Sequence, residues 1–242
     1  MTDKSADPSD PLSAPFRIAF VPGVTPGKWT RIWERRMPGT PLALTPVIED
    51  DQLAVLHEGL VDMSFVRLPV DRAGVNLIPL YREIPVTVVP LEHPVAAFDE
   101  VSVADLADEH LLQDPGTVPE WRELAAELRD GTRLDVPSMT AEEAIEVVAR
   151  GAGIVIVPKS VARLYSRKDV THRPVTGVAE SQIGLAWLTT NTDSRIEKFI
   201  GIVRGRTERS SRTDGAAEPV RKAAGKKAAV KKAAPKGRHR RR

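Results

Sequence analysis

Segments with strand-like and helix-like patterns alternate along the middle of this chain, and they do so twice in the same order. The pattern predicts strand, helix, strand, helix and strand over residues 16–66, and the same order again over residues 110–157. Such alternation is typical of α/β proteins with largely parallel sheets. One more strand and helix follow the second unit, and we expect them to return to the first. The sequence therefore predicts two lobes joined by crossing segments near residues 86–91 and 180–185.

Two helices and two short strands of this prediction are specific enough to test. Apolar spacing predicts a helix over residues 51–58, closed by Gly59, and a longer amphipathic helix over residues 119–129. Short apolar runs predict strands over residues 110–113 and 134–136.

The two ends of the chain differ in composition from the middle. Residues 1–15 are rich in Asp, Ser and Pro, which predicts a disordered leader. Residues 219–242 contain 11 Lys and Arg and no Asp or Glu, whereas the other 218 residues contain 24 basic and 33 acidic ones. An acidic globular part is thus followed by a basic tail. Its Lys-Ala repeats predict that residues 205–242 are disordered when free.

Composition also argues against several classes of protein. The longest apolar run, residues 154–157, is far shorter than the ~18 residues that span a bilayer, and the polar N-terminus lacks a signal segment. We therefore expect a cytoplasmic protein that does not bind membranes. The absence of cysteine excludes disulfides, thiolate metal sites and a cysteine nucleophile. Five scattered histidines argue against a zinc site, and we expect no metal and no cofactor.

Four motifs occur in order between residues 16 and 204. They are EGLVDMSF at 58–65, EHPVA at 92–96, VADLADE at 103–109 and ARGAGIVIVP at 149–158. Together they resemble the effector-binding domain of LysR-type transcriptional regulators. The resemblance implies the fold of type II periplasmic binding proteins, with two Rossmann-like lobes around a central cleft. It places lobe I at about 16–87 and 184–204, and lobe II at about 91–180.

The resemblance also implies a function. Members of this family bind small metabolites, often carboxylates, in the cleft, and the domain usually forms a side-by-side dimer. Only fifteen polar residues precede the first predicted strand, so we expect a sensor domain without its own helix-turn-helix. We find no acid–base pair, nucleophile elbow or phosphate loop, and we therefore predict that the protein is not an enzyme. A solute-binding protein and an enzyme on the same bilobed fold are the alternatives.

The predicted cleft residues lie mostly in loops that precede helices, where free backbone amides suit an anionic ligand. Thr117 and Thr140 are each followed three residues later by Glu, which is the spacing of a capping box. A plain capping role explains such threonines as well. Arg67 follows the third strand, where it could bind a carboxylate in bidentate fashion. The predicted ligand-binding residues are Val24, Thr25, Arg67, Thr117 and Thr140.

Three acidic residues, Glu49, Asp50 and Asp51, stand at another of these loop-to-helix junctions. They would repel an anion. Either their side chains face solvent as caps, or the ligand is not a simple acid.

The basic tail predicts a second interaction. Its cations could neutralise the phosphate backbone of nucleic acid, without sequence specificity and with strong salt dependence. The residues that we expect to take part are Lys226, Lys227, Lys231, Lys232, Arg240 and Arg241. Such binding would associate the protein with the nucleoid. A solubilising tail, or one attracted to anionic membrane surfaces, is the alternative.

Overall fold

The structure is a computed structural model that describes residues 14–205. Residues 1–13 of the predicted leader and residues 206–242 of the predicted tail, with all six nucleic-acid-binding residues predicted there, lie outside these residues. Within residues 14–205, no helix is long and apolar enough to cross a membrane.

The described region contains nine strands and seven α-helices. The strands are β1 (Phe16–Phe20), β2 (Leu42–Pro46), β3 (Met63–Leu68), β4 (Val75–Glu83), β5 (Pro85–Pro90), β6 (Val101–Ser102), β7 (Val155–Pro158), β8 (Val170–Thr176) and β9 (Ser181–Leu188). The helices are α1 (Gly27–Arg36), α2 (Ala54–His57), α3 (Pro119–Leu124), α4 (Ala126–Arg129), α5 (Ala141–Val148), α6 (Lys159–Leu164) and α7 (Ser194–Val203).

Two sheets form the centres of two lobes. The sheet of lobe I has the order β2-β1-β3-β9-β4, and the sheet of lobe II has the order β6-β8-β5-β7. The chain crosses from lobe I to lobe II at Ile84, between β4 and β5, and it returns at residues 177–180, between β8 and β9. The predicted α/β fold with two lobes is therefore confirmed. The boundary placed after residue 87 is wrong, because residues 85–87 pair in the sheet of lobe II.

The expectation of largely parallel sheets holds for only part of the molecule. β1 is parallel to β2 and β3, but β9 is antiparallel to β3 and β4. In lobe II, β5 is antiparallel to both β7 and β8. β4 continues almost directly into β5 of the other sheet, and β8 continues almost directly into β9. Because these two continuous segments run in opposite directions, β9 is antiparallel to β4 and β8 is antiparallel to β5.

The predicted helix over residues 119–129 is interrupted. Ala125 adopts an extended ψ of 119°, which separates α3 from α4. The amide of Ala126 donates to the carbonyl of Ala107 at 2.8 Å instead of continuing the helix. A tertiary hydrogen bond therefore overrides the local apolar spacing.

Three further predictions are corrected by the structure. In place of the predicted helix over residues 51–58, the chain forms a 3₁₀ turn, Glu49–Asp51, and then the short helix α2. In residues 110–113 only Leu111 pairs, in an isolated bridge with Ile154. Residues 134–136 form no strand, and Leu134 is 69% exposed, so this run has no partner that could bury it.

Aromatic rings form the core of lobe I beneath α1 and α7. Trp33 stacks on Phe16 with 5.1 Å between ring centroids and meets Phe199 edge-on at 5.9 Å. Trp29 stacks on Phe65 at 4.9 Å. The indole N–H of the fully buried Trp33 donates to the carbonyl of Thr40 at 2.8 Å. This core packs α1 and α7 against β1 and β3.

Candidate functional site

A cavity of about 580 Å³ lies between the two lobes. Its lobe I wall comes from the ends of β1 and β2 and the loops after them, and its lobe II wall comes from α6. The lining residues are Phe20, Pro22, Gly23, Val24, Thr25, Pro46, Val47, Ile48, Ser160, Arg163, Leu164 and Tyr165. This volume lies within the ~300–1,000 Å³ of typical small-molecule sites.

The fold brings these segments together for a simple reason. β1 and β2 are adjacent and parallel, so both loops that follow them leave the sheet at the same edge, where ligands of α/β proteins usually bind. The first of these loops turns sharply, and the amide of Val24 donates to the carbonyl of Val21 at 3.2 Å. α6 begins directly after β7 and faces this edge from lobe II.

The lobes touch at Gly23. Its φ of +89° favours glycine, and a Cβ placed there would lie 2.2 Å from Oγ of Ser160 and 3.2 Å from the backbone nitrogen of Val161. Only a residue without a side chain permits this approach. The cavity is therefore closed on one side by a contact between the two lobes.

The chemistry of the cavity is mainly apolar, with a few polar groups on the lobe II side. Oγ of Ser160 is buried and has no hydrogen-bond partner among the described residues. Arg163 is exposed and contributes the cationic group of the lining. Burial raises the pKa of Tyr165, and the nearby Glu142 raises it further, so its phenol stays protonated and can donate a hydrogen bond.

Val24 and Thr25 are the two predicted ligand-binding residues that line the cavity. Arg67, Thr117 and Thr140 do not line it. Whether any of the five contacts a ligand remains a prediction, but the structure shows what the last three do.

Thr117 does not cap a helix. Val118 precedes α3 without a side-chain cap. Oγ1 of Thr117 donates to the carbonyl of Asp114 at 2.7 Å and accepts from Nε2 of Gln113 at 2.8 Å. Glu120 instead accepts from the amide of Ala179 at 2.9 Å. The predicted capping box is wrong here, because residues 115–117 form a separate 3₁₀ turn.

The capping box at Thr140 is confirmed. Oγ1 of Thr140 accepts from the amide of Glu143 at 3.3 Å, and the carboxylate of Glu143 accepts from the amide of Thr140 at 2.8 Å. This backbone hydrogen bond, with a second from the hydroxyl, lowers the pKa of Glu143. Thr140 thus starts α5, and it is exposed.

Arg67 lies behind the wall of the cavity rather than in it. Its side chain is 7% exposed. Nε–H donates to Glu49 at 2.8 Å and Nη1–H to Glu83 at 2.6 Å, while Nη2–H donates to the carbonyl of Pro22 at 2.7 Å. The carboxylates that Arg67 binds belong to the protein. Burial raises the pKa of Glu49, an effect that Arg67 partly offsets.

The structure also shows where the three acidic side chains of the junction, Glu49, Asp50 and Asp51, lie. Glu49 forms an ion pair with Arg67 although its side chain is 44% exposed, and Asp50 and Asp51 are exposed as well. None of the three lines the cavity.

Sequence reasoning missed the lobe II wall. Ser160, Arg163 and Tyr165 follow directly after the motif that ends at Pro158. The signal was present, because the end of a buried strand marks the edge of a sheet where a site can form.

The sequence model of the LysR substrate binding domain matches residues 9–208. The chain belongs to this family. Within the described part of this LysR substrate-binding domain, no group of three or more His, Asp or Glu could hold a metal ion.

Relatives of the domain are transcription regulators and not enzymes. It is 34% identical over 176 residues to a probable hydrogen peroxide-inducible genes activator of Mycobacterium avium, an alignment covering 69% of this chain and 56% of that protein. It is 23% identical over 198 residues to the Hca operon transcriptional activator HcaR of Escherichia coli, covering 78% of this chain and 67% of HcaR. The chain thus spans a little over half of the mycobacterial relative.

Solved structures of such regulators share the fold. The reduced OxyR regulatory domain of Pseudomonas aeruginosa superposes with a TM-score of 0.61 at 23% identity, covering 80% of this chain and 98% of that one. The effector-binding domain of BenM with its effector benzoate gives 0.62 at 22% identity, covering 86% and 96%. The LysR substrate-binding domain therefore has the expected periplasmic-binding-protein-like architecture.

Proposed function

We propose that this LysR substrate-binding domain binds a small effector in the cavity between its lobes and takes part in transcription regulation without catalysing a reaction. The observation that carries the proposal is the cavity itself, which closes through the contact of Gly23 with Ser160. A molecule held by both walls stabilises one relative position of the lobes. That position is the signal which a regulatory partner could detect.

The lining favours a particular class of effector. Phe20, Val24, Val47 and Leu164 offer apolar surface, and Arg163 offers one cation. Such a site suits a small molecule with an aromatic or branched aliphatic body and one anionic end. The effector of the BenM domain, benzoate, has this form.

Peroxide sensing through a thiol is not available to these residues. The M. avium relative is named for hydrogen peroxide-inducible genes, but the 242 residues of this chain contain no cysteine. Thiol oxidation needs a cysteine thiolate. We therefore propose that the domain responds to ligand binding and not to oxidation of a thiol of its own.

A ligand screen tests the proposal. Benzoate and a panel of aromatic and branched aliphatic monocarboxylates are expected to raise the thermal midpoint, because a ligand that binds only the folded state stabilises it. Arg163→Gln should weaken binding of an acid about tenfold and leave binding of its neutral amide unchanged. Midpoints from thermal unfolding and affinities from calorimetry are the measurements.

Arg150→Gln is the matched control, since Arg150 is an exposed arginine of the same lobe that does not line the cavity. It should bind the acid as the unchanged protein does. If no compound of the panel shifts the midpoint, the proposed effector class is wrong. If Arg163→Gln weakens acid and amide equally, Arg163 does not recognise the anionic end.

A second proposed activity is nonspecific binding of nucleic acid by the tail, in the cytoplasm and at the nucleoid. The sequence supports it, because residues 219–242 carry 11 cations and no acidic residue. Raising salt from about 50 to 200 mM should lower the affinity of the full chain for duplex DNA about a thousandfold. Fluorescence anisotropy with a chain that ends at Glu218 is the comparison, and equal salt-dependent affinity of both chains would refute the role of the tail.

Formation of the side-by-side homodimer that the resemblance implies remains a prediction. Light scattering of the full chain tests it.

A further inference from the structure

Three parts of lobe I meet at one guanidinium. Arg67 binds the carbonyl of Pro22 in the first cavity loop, Glu49 directly after the second cavity loop, and Glu83 at the end of β4. Its own backbone is held as well, because the side-chain amide of Gln52 accepts from the nitrogen of Arg67 at 2.7 Å and donates to its carbonyl at 3.3 Å. The two cavity loops and the end of β4 are therefore all held by hydrogen bonds to Arg67.

Glu83 carries the connection to the other lobe. It is the last residue of β4, and the crossing residue Ile84 follows it. The carbonyl of Ile84 accepts a hydrogen bond from the amide of Lys159 at 3.0 Å. Lys159 is the first residue of α6, which forms the lobe II wall of the cavity.

These contacts form a closed ring, three members of which, Pro22, Gly23 and Ser160, line the cavity. Starting at Pro22, the ring runs through Arg67 to Glu83, across Ile84 to Lys159, and along α6 to Ser160. From Ser160 it returns to Gly23 through the contact between the lobes. The ion pair between Arg67 and Glu83 within this ring is strong, because both side chains are 7% exposed and their charge-assisted hydrogen bond is shielded from water.

We propose that Arg67 is a positioning residue that links the lobe I wall of the cavity to the crossing segment, and through it to the lobe II wall. It acts on the ligand through Pro22 and Glu83 and not by direct contact. The shape of the cavity and the angle between the lobes are therefore set by the same side chain. This inference rests on the proposed function, because the cavity matters only if it holds an effector.

Hydrogen exchange of individual amides in the ligand-free full chain tests the link. The amide of Val24 reports on the first cavity loop, and the amide of Lys159 reports on the crossing segment. Arg67→Gln should raise the exchange rates of both amides by about tenfold or more, because it removes buried charge-assisted hydrogen bonds. The amides of Ile18 and Val88, in the centres of the two sheets, serve as internal references and should change less.

Arg17→Gln is the control for the loss of an arginine ion pair in the same sheet, at a side chain that is 41% exposed. Arg17 forms an ion pair with Asp62 at 2.8 Å in the same sheet, and it also bonds the carbonyl of Gly59. Its loss should leave the amides of Val24 and Lys159 unchanged. If Arg17→Gln and Arg67→Gln raise the same amides to the same extent, Arg67 only contributes to general stability and the proposal is wrong.

Two milder variants give further tests if Arg67→Gln folds poorly. Glu83→Gln changes a residue that does not touch Pro22, yet it should accelerate exchange at Val24 through Arg67; an unchanged rate at Val24 overturns the proposal.

Arg67→Lys keeps one charge that can pair with the buried Glu83 but lacks the fork that also reaches Pro22. It should accelerate exchange at Val24 and spare Lys159, and the reverse pattern would contradict the link.

The exchange experiment needs no ligand, so its outcome is separate from that of the ligand screen. A screen without a hit contradicts the proposed effector class and leaves the exchange result intact. Unchanged exchange at both amides in Arg67→Gln contradicts the positioning role even if ligands bind.

Discussion

Trp33→Ala is expected to lower the free energy of unfolding by about 4 kcal/mol, the largest loss that we predict for a single substitution in this domain. Trp33 is fully buried, stacks on Phe16 and meets Phe199 edge-on. Its removal leaves a large cavity between α1, β1 and α7. It also leaves the carbonyl of Thr40 without the indole donor. Urea unfolding followed by circular dichroism measures the loss.

Trp33→Phe separates the two contributions. The phenyl ring fills part of the space and keeps the aromatic contacts, but it cannot donate to Thr40. We expect a loss of about 2 kcal/mol, from the missing hydrogen bond and the smaller ring. If Trp33→Ala costs less than about 1.5 kcal/mol, lobe I does not depend on this aromatic core, and our account of how α1 and α7 are held against β1 is wrong.

Gly23→Ala is expected to reduce effector affinity about tenfold or more. The added Cβ would overlap Oγ of Ser160 at 2.2 Å and press on the backbone nitrogen of Val161 at 3.2 Å. Since backbone atoms cannot yield as a flexible side chain does, the lobes must move apart at this point. The closed site that a ligand held by both walls needs is then present in a smaller fraction of the molecules. The apparent affinity of such a ligand falls in proportion to that fraction.

The matched control for Gly23→Ala is Gly74→Ala. Gly74 has a similar positive φ of +70°, but a Cβ there meets nothing within 4 Å. Both substitutions should cost about 1 kcal/mol of stability through backbone strain, and only Gly23→Ala should weaken binding of a hit from the ligand screen. Calorimetric titration of both variants decides, and equal affinities would show that the lobes do not need this contact.

The sequence predicted the parts of the fold that depend on local pattern. The apolar strands β1, β3 and β7 and the capped helix α5 were each marked by a buried run or a capping box. β4 and β8 were missed because neither is a continuous apolar run. β4 is an edge strand with polar and proline residues, VNLIPLYRE, and β8 is similarly mixed, VTHRPVT. Their pairing is determined by neighbours distant in sequence.

The site was predicted less completely for a related reason. Val24 and Thr25, which the sequence analysis selected in a loop that precedes a helix, line the cavity. The sequence could not show that Arg67 would meet Glu49, 18 positions before it, and Glu83, 16 positions after it. An arginine near a cleft looks the same in sequence whether it binds a ligand or two carboxylates of its own chain.

The two crossings between the sheets restrict how this molecule can bend. One crossing is the single residue Ile84 and the other is the four residues 177–180. Two short connections side by side form a hinge: they permit rotation of the lobes about the line that joins them and resist sliding and twisting. Small changes of backbone torsion angles at this hinge become larger displacements at the far ends of the lobes. An effector of modest size could thus produce a movement large enough for a distant partner to detect.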